Sequence, residues 1–182
     1  LETKFRIYTN SLWIGTFHSV CTRILRKEAE FTPFNSNFSI FDQKDQKHIF
    51  KQLYKRIDVD SRQFPVNKIR NIISNQKNSL IQPKDYFDFH AENYHTKTVY
   101  RVYKNYQKYL LDNNAMDFDD LLMYAALLLH SNKTLLKKYQ KQFEYIMIDE
   151  YQDTNYAQFK IVNLIAKKHK NLCVVGDDDQ AI

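Results

Sequence analysis

Two short apolar runs near the C-terminal end of the chain, with one helical repeat between them, constrain the fold more than any other feature. The runs are residues 145–148 (YIMI) and 172–175 (LCVV), and each is bounded by polar residues. Between them, apolar residues recur at the helical period, which predicts a helix with Phe159, Val162 and Ile165 facing inward. A strand, a helix and a second strand in this order form a parallel βαβ unit with both strands buried. We therefore predict an α/β fold.

The stretch from about residue 20 to residue 115 has helical periodicity throughout and predicts five helices. Their starts are predicted near His18, at Asp42 with Asp45 three residues on, at Pro65, at Pro83 and near Glu92. The last of these helices is long and continues to about Asp112. The stretch is therefore predicted to be a mainly helical layer.

The segments on either side of this helical stretch complete the prediction. Residues 12–14 (LWI) end at Gly15, which predicts a short strand and a turn before the first helix. Asp117 and Asp120 precede a leucine-rich stripe, which predicts an N-capped amphipathic helix. A short helix is predicted over residues 135–142. No internal repeat or Gly/Ser linker separates these parts, so the helical stretch is predicted to pack against the α/β part as an insertion.

The glycine count excludes the common phosphate-binding loops from these residues. The chain has only 2 Gly in 182 residues, Gly15 and Gly176, and neither precedes Lys. A G-x-x-x-x-G-K-[ST] loop or a G-x-G-x-x-G fingerprint needs glycines close together. The sequence also lacks an initiator Met, and we expect it to be a piece of a larger protein.

Cysteine usage and hydropathy indicate a soluble, cytoplasmic protein without a metal framework. Cys21 and Cys173 lie far apart and outside any CxxC spacing, so neither a disulfide nor a zinc site is expected, and both are predicted to be buried thiols. No run approaches the 18 apolar residues of a membrane span.

Charge divides the chain in the same way as the predicted elements. Residues 1–115 carry 19 Lys and Arg against 11 Asp and Glu, whereas residues 116–182 carry 8 against 10. A basic helical part suits a polyanion such as DNA, and an acidic part suits a metal ion. The alternative for the basic part is a solvated lysine-rich surface, and charge alone does not decide between the two.

Acidic and amide residues follow both predicted strands of the βαβ unit. Asp149 and Glu150 follow the first strand, and Gln180 lies beyond the second. Ligands of open parallel sheets bind at the carboxyl ends of the strands. One carboxylate there can hold Mg²⁺ and the next can accept a proton from the water that attacks a γ-phosphate, while Gln180 can sense that phosphate.

Neighbouring residues have structural alternatives. Asp153 is predicted to cap the following helix rather than to bind a ligand. Asp178 and Asp179 fit a solvated turn as well as a ligand site. Asp149 and Glu150 have no such structural role, because adjacent like charges repel one another unless a cation relieves them.

Four segments in order resemble the UvrD/PcrA/Rep-type superfamily 1 DNA helicases. Residues 148–155 (IDEYQDTN) resemble the Walker B box of that family, and residues 174–182 (VVGDDDQAI) resemble the start of its motif III. Residues 16–19 (TFHS), with residues 23–26 (RILR), resemble its segment that contacts single-stranded DNA. Residues 116–122 (MDFDDLL) resemble the segment before the Walker B strand.

The resemblance implies an architecture. It implies a partial RecA-like parallel sheet, motor subdomain 1A, interrupted by a mainly helical subdomain, 1B. Residues 1–20 and 116–182 would belong to 1A, and residues 21–115 would form 1B.

The resemblance also implies residue roles. Asp149 would help to hold Mg²⁺, Glu150 would be the general base, and both would line the ATP site with Gln180, which would couple the γ-phosphate to DNA. Thr16, Phe17 and His18 would contact the DNA strand, although a core position for Phe17 and a helix start without a ligand for His18 are open alternatives.

The implied activity is that of an ATP-dependent helicase that moves on single-stranded DNA, by resemblance 3′ to 5′, and unwinds duplex junctions. Because the family's Walker A loop and second motor domain are not among these residues, the chain alone is expected to be inactive. The alternatives are a non-catalytic DNA-binding module or an inactive motor.

Overall fold

A computed structural model describes residues 12–89 and 93–177. Its helices are α1 (Phe17–Lys27), α2 (Gln43–Arg56), α3 (Val66–Asn78), α4 (Pro83–Phe89), α5 (Tyr94–Asp112), α6 (Phe118–Ser131), α7 (Lys133–Gln142) and α8 (Tyr156–Ala166). Its strands are β1 (Ser39–Phe41), β2 (Ala115–Asp117), β3 (Ile146–Ile148) and β4 (Leu172–Val174), and single 3-10 turns cover Ala29–Phe31 and Tyr151–Asp153.

Side-chain caps start several of the helices, as the sequence predicts. Asp42 and Asp45 form a capping box at the start of α2, and Asp117 and Asp120 form another at α6. In such a box each side chain accepts a hydrogen bond from the backbone of the other residue, which satisfies two amide groups that the helix leaves unpaired. Pro83 opens α4, also as predicted.

The strands form two separate parallel pairs. β3 pairs with β4, with Ile146 opposite Leu172, and α8 connects them, so the predicted βαβ unit is confirmed. β1 pairs with β2, with Ile40 opposite Met116, and this pair was not predicted. All of α2 to α5 lies in the connection between β1 and β2, so the helical stretch leaves and rejoins the rest of the chain at neighbouring strands.

Several sequence predictions about burial and local structure are wrong. Residues 12–14 form no strand, because none of the described strands pairs with them; the Trp13 ring packs against Phe143 and under the Arg23 guanidinium. β4 is exposed along its length and Met147 of β3 is also exposed, so the prediction that both strands are buried is wrong. Cys173 is accordingly an exposed thiol, whereas Cys21 is buried as predicted. Phe159 is 42% exposed and does not face inward.

The apolar side chains form two hydrophobic clusters. The first combines α1, α6, α7 and α8, and includes Cys21, Phe38 and Met116. The second combines α2, α3 and α5, and includes Phe50 and Tyr106. Residues 21–38 thus pack with the C-terminal part of the chain, and the second cluster draws on residues from about 41 to 115.

A buried ionic network joins α3 to α5 and α6. The Lys77 ammonium is fully buried and lies 2.7 Å from the Asp117 carboxylate and 2.8 Å from the Asp120 carboxylate. The Tyr106 hydroxyl donates to Asp117 at 2.9 Å, and the Gln107 amide donates to Asp120 at 3.0 Å. Each charge is therefore paired and hydrogen-bonded, the condition under which buried charges are tolerated.

Burial and the neighbouring charges together set the pKa values of Asp120 and Lys77. Burial, together with the charge of Asp117, raises the pKa of Asp120 to about 7. Burial alone would lower the pKa of Lys77, but the two carboxylates outweigh it and hold that pKa well above its usual value. The ammonium consequently stays charged at neutral pH and balances the carboxylates around it.

None of the helices within residues 12–89 and 93–177 combines the length and the apolar character that a bilayer crossing requires.

Replacing Lys77 by Met should destabilise the fold strongly, because it leaves two buried carboxylates without a counter-charge. Removing one partner of a buried pair costs about 3–5 kcal/mol in the free energy of unfolding. The matched control is Lys108→Met, which breaks an exposed ion pair with Asp112 and should cost about 0–1 kcal/mol. Urea unfolding of the three proteins measures both values, and equal small losses would contradict the role assigned to Lys77.

Candidate functional site

Two exposed carboxylates stand at the carboxyl end of β3. Asp149 and Glu150 follow the strand directly, and Glu150 has left-handed backbone angles, φ 52° and ψ 44°. The Asp149 carboxylate accepts the Glu150 backbone N–H at 3.0 Å. A residue with a side chain adopts this conformation at a cost of about 1–3 kcal/mol, and such strain concentrates at functional sites.

Gln152 connects Glu150 to the end of β4. Its side-chain amide donates to the Glu150 carboxylate at 2.6 Å, and its carbonyl oxygen accepts the Asp177 backbone N–H at 3.1 Å. Gly176 leaves room for this contact, since a Cβ there would lie 2.8 Å from the Gln152 carbonyl oxygen. Sequence reasoning missed Gln152, although its position within the acidic segment after β3 was a usable signal.

Backbone hydrogen bonds hold the two strand ends side by side. The Tyr151 N–H donates to the Val175 carbonyl at 2.9 Å, and the Val175 N–H donates to the Ile148 carbonyl at 2.8 Å. The first residue of the 3-10 turn after Glu150 is therefore held by a hydrogen bond to the segment that ends β4. Of the predicted strand-end residues, Asp149 and Glu150 are together here, whereas Gln180 lies outside the described residues, as do Asp178 and Asp179.

Asn155, not Asp153, caps the helix after the acidic segment. The Asn155 side chain accepts the Gln158 N–H at 3.0 Å, and the Gln158 side chain accepts the Asn155 N–H at 2.9 Å. Asp153 is exposed and ends the 3-10 turn instead. The predicted cap is wrong because the intervening turn shifts the helix start beyond Thr154.

The three residues predicted to contact DNA lie at the start of α1: Thr16, Phe17 and His18. Thr16 is exposed and caps α1 by accepting the Ser19 N–H at 3.3 Å, while the Ser19 hydroxyl donates to the Thr16 carbonyl at 2.8 Å. Gly15 is close to this turn, and a Cβ there would lie 2.4 Å from the Ser19 hydroxyl oxygen. Phe17 is half-buried and packs against the first hydrophobic cluster.

His18 joins the start of α1 to the start of α6. Its ring meets the Phe118 ring edge-to-face at a centroid distance of 5.4 Å. Burial lowers the pKa of His18, and the negative charge of Asp119 opposes that shift. The imidazole is therefore mainly neutral at pH 7 and offers a hydrogen bond and a ring face rather than a cation. Phe118 is 47% exposed beside it.

A groove of about 740 Å³ opens next to Phe118, between the start of α2 and one face of α3. Its lining includes three cationic side chains and two carboxylates: Lys44, Lys47, Arg70, Asp42 and Asp119. Sequence reasoning placed basic charge in this part of the chain without locating it on one surface. The groove lies at the helix starts and not at the ends of β3 and β4, so it is separate from the acidic strand-end site.

The carboxylates after β3 are the candidate ligands for a metal ion. Within residues 12–89 and 93–177, no group of three or more His, Cys, Asp or Glu side chains could hold a metal ion. Mg²⁺, however, is commonly bound through one or two carboxylates together with substrate phosphates. The exposed carboxylates after β3 fit that mode of binding.

Comparison with known proteins places these features in a family. The family model described as the UvrD/REP helicase N-terminal domain matches residues 2–182. The chain is 46% identical over 171 residues to the ATP-dependent DNA helicase PcrA of Staphylococcus epidermidis, and equally to that of Staphylococcus aureus. Each match covers 94% of this chain and 23% of the relative, so the chain spans about a quarter of those proteins. The chain therefore belongs to the UvrD/REP DNA helicase family, in the region of its N-terminal domain.

Proposed function

We propose that this chain is part of the first motor domain of an ATP-dependent DNA helicase, which couples ATP hydrolysis to movement on single-stranded DNA and to duplex unwinding, 3′ to 5′. The observation that carries the proposal is the left-handed Glu150 at the end of β3, tied through Gln152 to the end of β4. A strained carboxylate at the mouth of a parallel strand pair suits a group that must meet a bound nucleotide.

In the proposed reaction, the two carboxylates have separate tasks. Asp149 would hold Mg²⁺, which supplies charge neutralisation at the β- and γ-phosphates when bound. Glu150 would accept a proton from the attacking water, and Gln152 would orient its carboxylate through their hydrogen bond. Gln180 would contact the γ-phosphate and make turnover depend on DNA, a role that rests on the sequence motif alone.

The proposed DNA contact uses the start of α1. Exposed Thr16 would meet the strand with its hydroxyl group, and His18 with a neutral imidazole. Phe17 would support this turn from the first cluster. Phe118 offers a base-stacking surface beside His18, and the basic side chains of the groove next to it would contact the phosphates.

The two hydrophobic clusters suggest how the motor is divided. We propose that 1B begins near β1 rather than at residue 21, because residues 21–38 pack with the first cluster. It would end at β2, whose pairing with β1 brings the two connections together. The residues before β1 and after β2 would belong to 1A.

A Glu150→Gln substitution in the full-length helicase should leave ATP binding nearly intact and reduce hydrolysis by roughly 10²- to 10⁴-fold, the contribution of a positioned general base. Asp153→Asn is the matched control, because it neutralises a nearby exposed carboxylate with no proposed role. Steady-state ATPase assays with single-stranded DNA measure both. An unchanged kcat for Glu150→Gln would remove this residue from catalysis, whereas absence of turnover in the unsubstituted protein would favour an inactive motor or a DNA-binding module.

His18→Ala should weaken binding of a single-stranded oligonucleotide more than Lys104→Ala, which removes an exposed charge on α5. Binding should show little sequence preference and should fall steeply as salt rises, because each neutralised phosphate releases counterions. Fluorescence anisotropy at several salt concentrations measures both effects. Equal losses for the two variants would contradict a DNA contact at the start of α1.

A further inference from the structure

The side chain of Asn78, the last residue of α3, bridges the starts of two other helices. Its amide nitrogen donates to the Asp119 carboxylate at 3.0 Å, at the start of α6. Its carbonyl oxygen accepts a hydrogen bond from the Asn155 amide at 2.8 Å, at the start of α8. One primary amide thus serves as donor on one side and acceptor on the other, which an ionised carboxylate could not do because it only accepts hydrogen bonds.

Each end of this bridge adjoins one of the two proposed sites. Asp119 follows Phe118, the residue whose ring contacts His18, and its negative charge acts on the His18 imidazole. Asn155 caps α8 immediately after the turn that begins at Glu150. The side-chain carbonyl oxygen of Asn155 already accepts the Gln158 N–H of α8, so its side-chain NH₂ group is the part that can bond to Asn78 of α3.

The residue before Asn78 fixes the end of α3 in place. Lys77 is fully buried and paired with Asp117 and Asp120, which cap α6. The end of α3 therefore cannot shift relative to the start of α6 without breaking a buried ion pair. If the start of α6 moved, Lys77 and Asn78 would move with it, and the hydrogen bond from Asn155 to Asn78 would pull on the start of α8.

We propose that Asn78 is a positioning residue that couples DNA contact at the starts of α1 and α6 to the catalytic segment after β3. The inference rests on the proposed function and adds a residue of the helical stretch to the motor. Asn78 touches neither DNA nor nucleotide in this account. It holds the start of α8, and with it the turn that follows Glu150, in a position set by the start of α6.

The test uses the full-length helicase and separates coupling from binding and folding. Three quantities are measured for each variant: ATP turnover without DNA, maximal turnover with a single-stranded oligonucleotide, and the dissociation constant for that oligonucleotide. Asn78→Ala should lower the stimulation by DNA roughly 2- to 30-fold, the range typical of residues that carry coupling. DNA-free turnover and DNA affinity should stay at the level of the unsubstituted protein. Asn75→Ala, at an exposed position on the same helix, is the matched control and should leave all three unchanged.

A charge exchange tests the hydrogen bond itself. Asn78→Asp places two carboxylates side by side and removes the donor, so DNA stimulation should fall. Adding Asp119→Asn restores a donor opposite the new carboxylate, which can still accept from Asn155, and the double variant should recover stimulation. Asp119→Asn alone is the reference for the pair. The double variant also preserves net charge, so it keeps the test valid if Asn78→Ala folds poorly.

The outcomes are distinct. Lost stimulation in Asn78→Ala and Asn78→Asp, with recovery in the double variant, supports the proposal. Full stimulation in Asn78→Ala overturns the proposal. A double variant whose stimulation stays at the low level of Asn78→Asp, below that of Asp119→Asn alone, also overturns it. Absence of DNA stimulation in the unsubstituted helicase would instead overturn the proposed function, so the two failures cannot be confused.

Discussion

The buried ammonium of Lys77 is the constraint on which the rest of the structure depends. A fully buried cation is tolerated only with its counter-charges in place, so Asp117 and Asp120 must stay within ion-pair distance of it. Those two residues also form the capping box of α6. The same carboxylates therefore start one helix and anchor the end of another. The two hydrophobic clusters meet at this polar junction. Apolar packing is not directional, so the ion pairs and hydrogen bonds of the junction are what fix one cluster against the other.

The acidic segment after β3 depends on that junction indirectly. Asn78, next to Lys77, holds the cap of α8, and the 3-10 turn between β3 and α8 carries Gln152, which binds Glu150. The strained Glu150 backbone persists because the turn is fixed at both ends, by β4 on one side and by the α8 cap on the other. These contacts account for how the residues of the acidic segment are held.

Local features of this fold and the pairing of β3 with β4 could be predicted from the sequence, whereas other contacts between distant residues could not. The capping boxes at Asp42 and Asp117 were predictable because both partners lie within one helical turn. β1 and β2 are strands of only three residues, and they are recognisable as strands only because they pair with each other. Four helices lie between them in the chain, so no local pattern could predict the pair. Lys77 has the residue type of a surface position, and its burial depends on carboxylates some 40 residues away.

The candidate site divides in the same way. Asp149 and Glu150 stood out because charge follows an apolar strand, whereas Gln152 is polar within a polar segment and its contact with the end of β4 requires the fold. The strand predicted at residues 12–14 is absent because none of the described strands pairs with these residues, and the local pattern could not show whether a partner exists.

Hydrogen–deuterium exchange of the full-length helicase, with and without a single-stranded oligonucleotide, tests most directly whether this polar junction links the two sites. The account predicts that DNA slows amide exchange both at residues 16–20 and at residues 150–158. In Asn78→Ala the first effect should persist and the second should be lost. DNA-induced protection of residues 150–158 that is equal in both proteins, or absent from the unsubstituted helicase, would contradict the account.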